Sequence, residues 1–433
     1  NLKKESKVER TPVFPKSLYE YEEDQEPDVG THSSGKSIRE LLKRSRTPRS
    51  TKTKEISKKR KRNEGVNVFE IETENLISLP KNPEVERRDE RKEPIAISRK
   101  NDCPPWLLRS NLKEFRLPKY GRLWLHNEIL SFIDYIQEKP KERRARKKVF
   151  ETIEGAVSKL YPNAETLAFG SMTNDLCVPD SDVDLVVFNA PKNAIHRLAK
   201  HFRSNNMVEY MEVLSKARIP IIKLRLNNSP YTADISFDQE SGPRTGILIR
   251  EIMSNVPAVR PLVILIKYFL SQRDLNETYR GGMGSHCCLM TVISMLQHCR
   301  RNLLQRLSNR EIAGQVEDYE DLGSLLLEYF DLYGHRFNYA KVCIRLTEGG
   351  SYNSKPSKFL EKGRPGLLCV ENPEDADLDI GKGSFAIARV RKAFSHSHRV
   401  LMSKIARYES MVNAYRKDGR VPDSILAAIV TSK

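Results

Sequence analysis

The chain has 433 residues, and 74 Lys and Arg against 57 Asp and Glu give a formal charge of +17. That length accommodates two or three domains at about 150 residues each, and the basic excess points to a polyanionic partner without specifying a fold. No apolar run approaches the ~20 residues of a membrane helix, NLKKESKVER lacks the apolar stretch of a secretory signal, and seven scattered cysteines without a CxxC argue against a disulfide framework or a zinc site built from this chain alone and fit a reducing compartment.

Residues 1–103 read as a charged arm in which apolar periodicity is absent and disorder is expected. The arm is acidic at Tyr21–Asp28 and strongly basic at Lys36–Arg62, with 13 basic and 2 acidic residues. Its cluster Lys58-Lys59-Arg60-Lys61-Arg62 has the composition of a nuclear-import or nucleic-acid patch, so a nuclear location is expected. Helical spacing begins at Leu123–Tyr135 and returns at Glu142–Leu160. Strand patterns follow at Thr166–Phe169, Val183–Phe188, Ile219–Leu226 and Tyr231–Phe237. Helical patterns then resume at Gly246–Met253, Ala258–Gln272, Ser285–Cys299, Asp321–Tyr333 and Val390–Tyr415. This order predicts an α+β chain: a mixed-sheet module over 144–245, a mostly helical domain from 104–143 plus 246–395, and a basic helical tail over 396–433.

The segment FGSMTNDLCVPDSDVDLVVF at 169–188 carries the chemistry. Asp182 and Asp184 stand one residue apart at the head of an apolar strand, and alternation places both on one face with Val183, Leu185 and Val187 on the other. In YTADISFD at 231–238, Asp234 shares a face with Thr232 and Ser236. Clustered carboxylates repel and call for a cation. Hard divalent ions such as Mg²⁺ bind oxygen ligands and bridge to phosphates. If the two strands are neighbours, three carboxylates converge, enough for a two-metal site that activates a hydroxyl and stabilises departing pyrophosphate. Gly170-Ser171, in the turn before Asp182, supplies close backbone approach and donors for a triphosphate. Lys267, in the apolar helix Leu262–Leu270, either pairs with an anion if buried or snorkels at the helix edge. Gly281–His286 (GGMGSH) is a glycine loop opening a helix, and Glu371–Asp379 is an acidic segment followed by Gly381-Lys382-Gly383-Ser384.

These residues resemble the signature of DNA polymerase β-like nucleotidyltransferases. Over about 104–400 the chain resembles the noncanonical poly(A) polymerases of the TRAMP type, with their PAP-associated domain. The resemblance rests on PPW at 104–106, the 169–188 segment, KARIPIIKL at 216–224, LIKYFLSQRDLNETYRGGMGSH at 265–286, and the stretches at 321–352 and 371–394. It implies a nucleotidyltransferase palm with a helical central domain. It assigns Asp182, Asp184 and Asp234 as catalytic metal ligands for two Mg²⁺ or Mn²⁺ ions. Contacts to ATP are implied for Gly170, Ser171, Ser241, Gly242, Lys267, Ser285, His286 and Asn372.

Several positions depart from the family pattern. His286 stands where an aromatic residue is usual, Asn372 where Asp precedes Pro, and Ser241 where many relatives have Asn. Leu378 occupies the place of a histidine in uridylyltransferases and offers no hydrogen bond to a uracil edge. The implied activity is template-independent addition of AMP to RNA 3′ ends, marking nuclear RNAs for processing or decay by the exosome. The implied partners are a zinc-knuckle RNA-binding protein and a Ski2-like RNA helicase, since the chain carries no RNA-reading motif of its own. The alternatives are terminal uridylyl transfer, a non-catalytic RNA-binding scaffold, and a templated DNA-repair polymerase. No feature calls for a membrane.

Overall fold

The computed structural model describes residues 103–109, 117–217, 219–239, 241–308, 321–418 and 421–432. Apart from Cys103, the charged arm lies outside these residues, and with it the basic cluster at 58–62.

Five strands build one mixed sheet in the order β1-β2-β5-β4-β3. They are β1 (Glu165–Phe169), β2 (Val183–Phe188), β3 (Val208–Leu214), β4 (Ile221–Leu226) and β5 (Thr232–Phe237). β2 and β5 run parallel, and the other neighbours are antiparallel. One face of the sheet is apolar: Val183, Leu185, Val187, Ile222, Leu224, Ala233 and Ile235 are buried. Two helices cover it. Pro140–Leu160 contributes Val149, Ile153 and Val157, and Ala194–Ser204 contributes Leu198 and Phe202. The first of these starts where the sequence dictates. Pro140 opens it, and the Lys139 backbone N–H donates to Glu142 Oε2 at 2.8 Å, the carboxylate half of a capping box.

A second core is helical. It joins Gly121–Ile136, Val259–Ser271, Ser285–Ser308, Leu322–Asp331 and Ile387–Asp418. Val259–Ser271 is buried all round, with Leu262 through Leu270 enclosed, as expected of a helix apolar on every side. Asp321 caps Leu322–Asp331 by accepting the Ser324 N–H at 2.7 Å. Among the described residues, no single helix is long and apolar enough to cross a membrane.

Three features differ from the sequence expectation. The boundary expected at 144 falls inside the helix Pro140–Leu160, and the boundary at 396 falls inside one continuous helix, Ile387–Asp418. The expected tail is part of the core: Leu401, Ile405, Tyr408 and Val412 are buried, and so are Ile425, Leu426, Ile429 and Val430. β3 was not legible, because an edge strand whose Glu209, Tyr210 and Glu212 face solvent carries little apolar periodicity. The acidic segment is a small hairpin, β8 (Glu371–Asn372) with β9 (Asp375–Asp379), and β6 (Val342–Arg345) pairs with β7 (Ser351–Ser354).

Candidate active site

The opposite face of the sheet carries a polar row running across β2, β5 and β4, with Phe169 of β1 at its end. Strand register sets Phe169 opposite Asp184, Asp184 opposite Asp234, and Asp234 opposite Lys223. Asp182 sits two residues before Asp184, immediately ahead of β2, and accepts a short hydrogen bond from Thr232 Oγ1. The parallel pairing of β2 with β5 therefore brings all three predicted carboxylates together. In this arrangement burial, followed by the charges of Asp234 and Asp182, pushes the Asp184 pKa up to about 7. Asp234 is raised chiefly by burial, against the pull of Lys223.

Lys223 is the group that sequence reasoning missed. Its Nζ lies 3.4 Å from Asp182 Oδ2 and 3.6 Å from Asp234 Oδ1. The second contact is an ion pair beyond hydrogen-bond reach, so Asp234 Oδ1 is buried without a hydrogen-bond partner. Burial opposes the charge on Lys223, but Asp234 and Asp182 outweigh it and raise its pKa. The signal was present in KARIPIIKL: Ile222 and Leu224 alternate inward, so Lys223 must face outward. Only the neighbouring strand shows what it faces.

The turn between β1 and β2 is held close to the carboxylates. Gly170 has φ +70°, and a Cβ there would overlap Asp184 Oδ2, so the backbone passes against the carboxylate as no other residue would allow. The Ser171 carbonyl accepts the Leu176 N–H at 3.1 Å, and its Oγ lies 3.7 Å from Cys177 Sγ. Gly242 packs against the Phe169 ring, where a Cβ would come within 2.7 Å, while Ser241 is exposed at the start of Ser241–Asn255. The segment leading into Asp182 is clamped by Arg146. This buried guanidinium donates to the carbonyls of Val178 at 3.1 Å, Pro179 at 3.0 Å and Ser181 at 3.3 Å. It also pairs with Glu138 at 2.6 Å and lies 4.1 Å from the centroid of Tyr231.

The remaining predicted residues come from the helical core. Lys267 is buried, and its Nζ donates to the Leu176 carbonyl at 2.8 Å. Burial lowers its pKa, against the pull of charges that include Asp184. Ser285 and His286 are exposed at the first turn of Ser285–Ser308. The glycine loop before them rests on the element after β9: the Ala386 N–H donates to the Gly281 carbonyl at 2.8 Å, and the Phe385 ring covers Gly281. Asn372 is not aimed at the carboxylates. Its Oδ1 accepts the Glu374 N–H at 3.0 Å within its own hairpin.

Two family descriptions match the chain. "Poly(A) RNA polymerase, mitochondrial-like, central palm domain" covers 125–253, and "Cid1 family poly A polymerase" covers 321–378. A solved structure described as the polymerase core of TRAMP, an RNA surveillance complex, is 32% identical. It covers 76% of this chain and 99% of its own, with a TM-score of 0.63. The chain belongs to the noncanonical poly(A) polymerase family. Among its relatives, poly(A) RNA polymerase cid14 of Schizosaccharomyces pombe is 34% identical over 74% of this chain and 46% of its own length. Poly(A) RNA polymerase protein 2 of Saccharomyces cerevisiae is 32% identical over 75% of this chain and 54% of its own. Trf4-2 of Drosophila melanogaster, an inactive noncanonical poly(A) RNA polymerase protein, is 31% identical over 72% of this chain and 75% of its own. The chain thus spans about half the length of the first two of these relatives. Crystal structures of the Cid1 poly(U) polymerase share the fold at 22% identity and a TM-score of 0.54.

Members of this family use divalent cations, and the carboxylate row fits such a group. Three acidic side chains share one side of the sheet, one of them with an orphaned buried oxygen, and Lys223 pairs with only two of them.

Proposed function

We propose that this chain transfers AMP from ATP to the 3′ hydroxyl of RNA without a template. The observation that carries this reading is the convergence of Asp182, Asp184 and Asp234 on one face of a phosphate-transfer sheet, beside a glycine turn shaped for close approach. The 3′ oxygen would attack the α-phosphorus of ATP, the bond to the β-phosphate oxygen would break, and pyrophosphate would leave. Asp182, Asp184 and Asp234 would hold two Mg²⁺ or Mn²⁺ ions, which when bound acidify the attacking hydroxyl and neutralise the pyrophosphate. Asp234 Oδ1 is the acceptor available to orient that hydroxyl. The backbone N–H groups at Gly170-Ser171 would receive triphosphate oxygens. Lys267, Ser285 and His286 would border the nucleotide, with Ser241, Gly242 and Asn372 toward its ribose and base. Leu378 favours ATP over UTP, because it presents no donor or acceptor to a uracil edge.

The basic surface of a +17 chain suits RNA phosphates. RNA selection would come from a zinc-knuckle RNA-binding partner, and unwinding from a Ski2-like helicase, in nuclear RNA decay coupled to the exosome. Incubating the purified chain with labelled RNA, Mg²⁺ or Mn²⁺ and each NTP, alone and with a zinc-knuckle partner, tests the reading. Tailing with ATP that disappears in Asp182→Asn supports it. Preferential use of UTP, or tailing that survives Asp182→Asn, refutes it. No activity with any NTP and any partner would mark a scaffold.

A further inference from the structure

A second group of ligand-type side chains lies where the helix Leu322–Asp331 passes into the five-residue π turn Leu332–Arg336 and packs across Ile387–Asp418. Asp331 ends the first helix, His335 follows one turn later, and His398 reaches them from the long helix. Cysteine spacing argued against a zinc site in this chain; the fold assembles a different ligand set from segments 63 residues apart in sequence, His335 to His398. The ligand atoms of Asp331, His335 and His398 all lie within 4.8 Å of one another. His335 Nδ1 is 3.1 Å from Asp331 Oδ1, and the two imidazole centroids are 5.3 Å apart.

We propose that Asp331, His335 and His398 form a zinc-binding site that ties the end of Leu322–Asp331 to the long helix, with its fourth position open to solvent. Tetrahedral zinc with bonds of about 2.0–2.1 Å sets neighbouring ligand atoms about 3.3 Å apart. The observed 3.1 Å between His335 Nδ1 and Asp331 Oδ1 is already close to that edge. The other atom of each of these two ligands has an orienting partner. Asp331 Oδ2 accepts from Arg336 Nε at 2.5 Å, and His335 Nε2 lies 2.8 Å from Ser395 Oγ. Such outer contacts are what fix a ligating carboxylate and the tautomer of a ligating imidazole. Two imidazoles and one carboxylate suit zinc rather than magnesium or calcium.

The backbone holds the ligands in place. Gly334 lies directly on the long helix, where a Cβ would come 2.7 Å from Ser395 N, and Arg391 Nε donates to the Gly334 carbonyl at 3.2 Å. A π turn inserted at a helix end is itself a feature often found at functional sites. Local charge is compatible with a cation. Arg336 pairs with both Asp331 and Glu328, so one guanidinium serves two carboxylates there.

The test uses the full chain carrying Asp182→Asn and Asp184→Asn, which removes cation binding at the carboxylate row. Titration with Zn²⁺ alone, followed calorimetrically, should give one equivalent per chain. Co²⁺ should give the visible bands of a tetrahedral nitrogen and oxygen site without a thiolate charge-transfer band, which would report cysteine ligation instead, for example at the buried Cys343 and Cys369, whose sulfurs lie 2.7 Å apart. Adding His398→Ala should abolish the equivalent, and His335→Gln should weaken binding at least tenfold, with metal-free melting unchanged in both. If His398→Ala alters the metal-free melt, His398→Asn replaces it in the same titration. Retention of the equivalent in the His398 and His335 variants, a thiolate band with Co²⁺, or no binding in the parent chain would overturn the proposal.

Discussion

Replacing Arg146 with Lys probes how the carboxylate row is held. Arg146 is fully buried and makes four hydrogen bonds, one to the Glu138 carboxylate and three to the carbonyls of Val178, Pro179 and Ser181. Lysine keeps the charge and can keep Glu138, but its single ammonium cannot span three carbonyls in the geometry of a planar fork. Two of the three carbonyls lose the guanidinium, at about 1–3 kcal/mol where no other donor serves them, while the Val178 carbonyl keeps the Ser181 N–H at 2.9 Å. Stacking of the planar guanidinium on Tyr231 is also lost. Allowing for some relaxation, the expected cost is about 2–3 kcal/mol, or roughly 4 °C in melting temperature for a unit of this size. Because these carbonyls belong to the segment that delivers Asp182, the RNA-tailing rate should fall by more than the folded fraction accounts for. Thermal melts with and without Mg²⁺, and tailing at a temperature where the variant is fully folded, would measure both. A variant within about 1 kcal/mol of wild type and equally active would refute the view that this clamp positions the site.

Asp234→Asn should lower the tailing rate at least about 10³-fold, some 4 kcal/mol of barrier, with no loss of metal-free stability, as read by single-turnover kinetics beside a denaturation curve. Lys223→Met removes the cation that competes with metal for Asp182 and Asp234. It should cost about 1 kcal/mol without metal and lower the Mg²⁺ concentration giving half-maximal tailing, whereas an unchanged Mg²⁺ requirement would speak against that competition. Glu128 is buried, and burial lifts its pKa to about 8, against the hydrogen bonds it accepts from the backbone of Leu426 and Ile425. A carboxyl whose folded pKa is raised contributes fully below its unfolded value near 4.5 and loses that contribution as pH rises toward 8. Glu128 should therefore lower stability by about 2 kcal/mol between pH 6 and pH 8, and chemical denaturation across that range should lose this share of the slope in Glu128→Gln, leaving the smaller share from Asp184.

The sequence by itself determined which groups could do chemistry and which way each would face. Alternation in VDLVVF and TADISF put Asp184 and Asp234 opposite apolar neighbours, and the helices Gly121–Ile136 and Val259–Ser271 followed from local apolar spacing. Period-two patterning is a property of one strand and is read from one strand. Strand order and register are not, since they depend on which edges meet and on what covers the far face. Only the tertiary structure decided that β2 lies beside β5 with Asp184 across from Asp234, that Lys223 faces both Asp182 and Asp234, and that Asn372 turns back into its own hairpin. The same reason explains the last segment. The polar face of Ile387–Asp418 reads locally as a basic tail, but its apolar stripe finds partners on Gly121–Ile136 and in residues 425–430, and burying that stripe makes the helix part of the core.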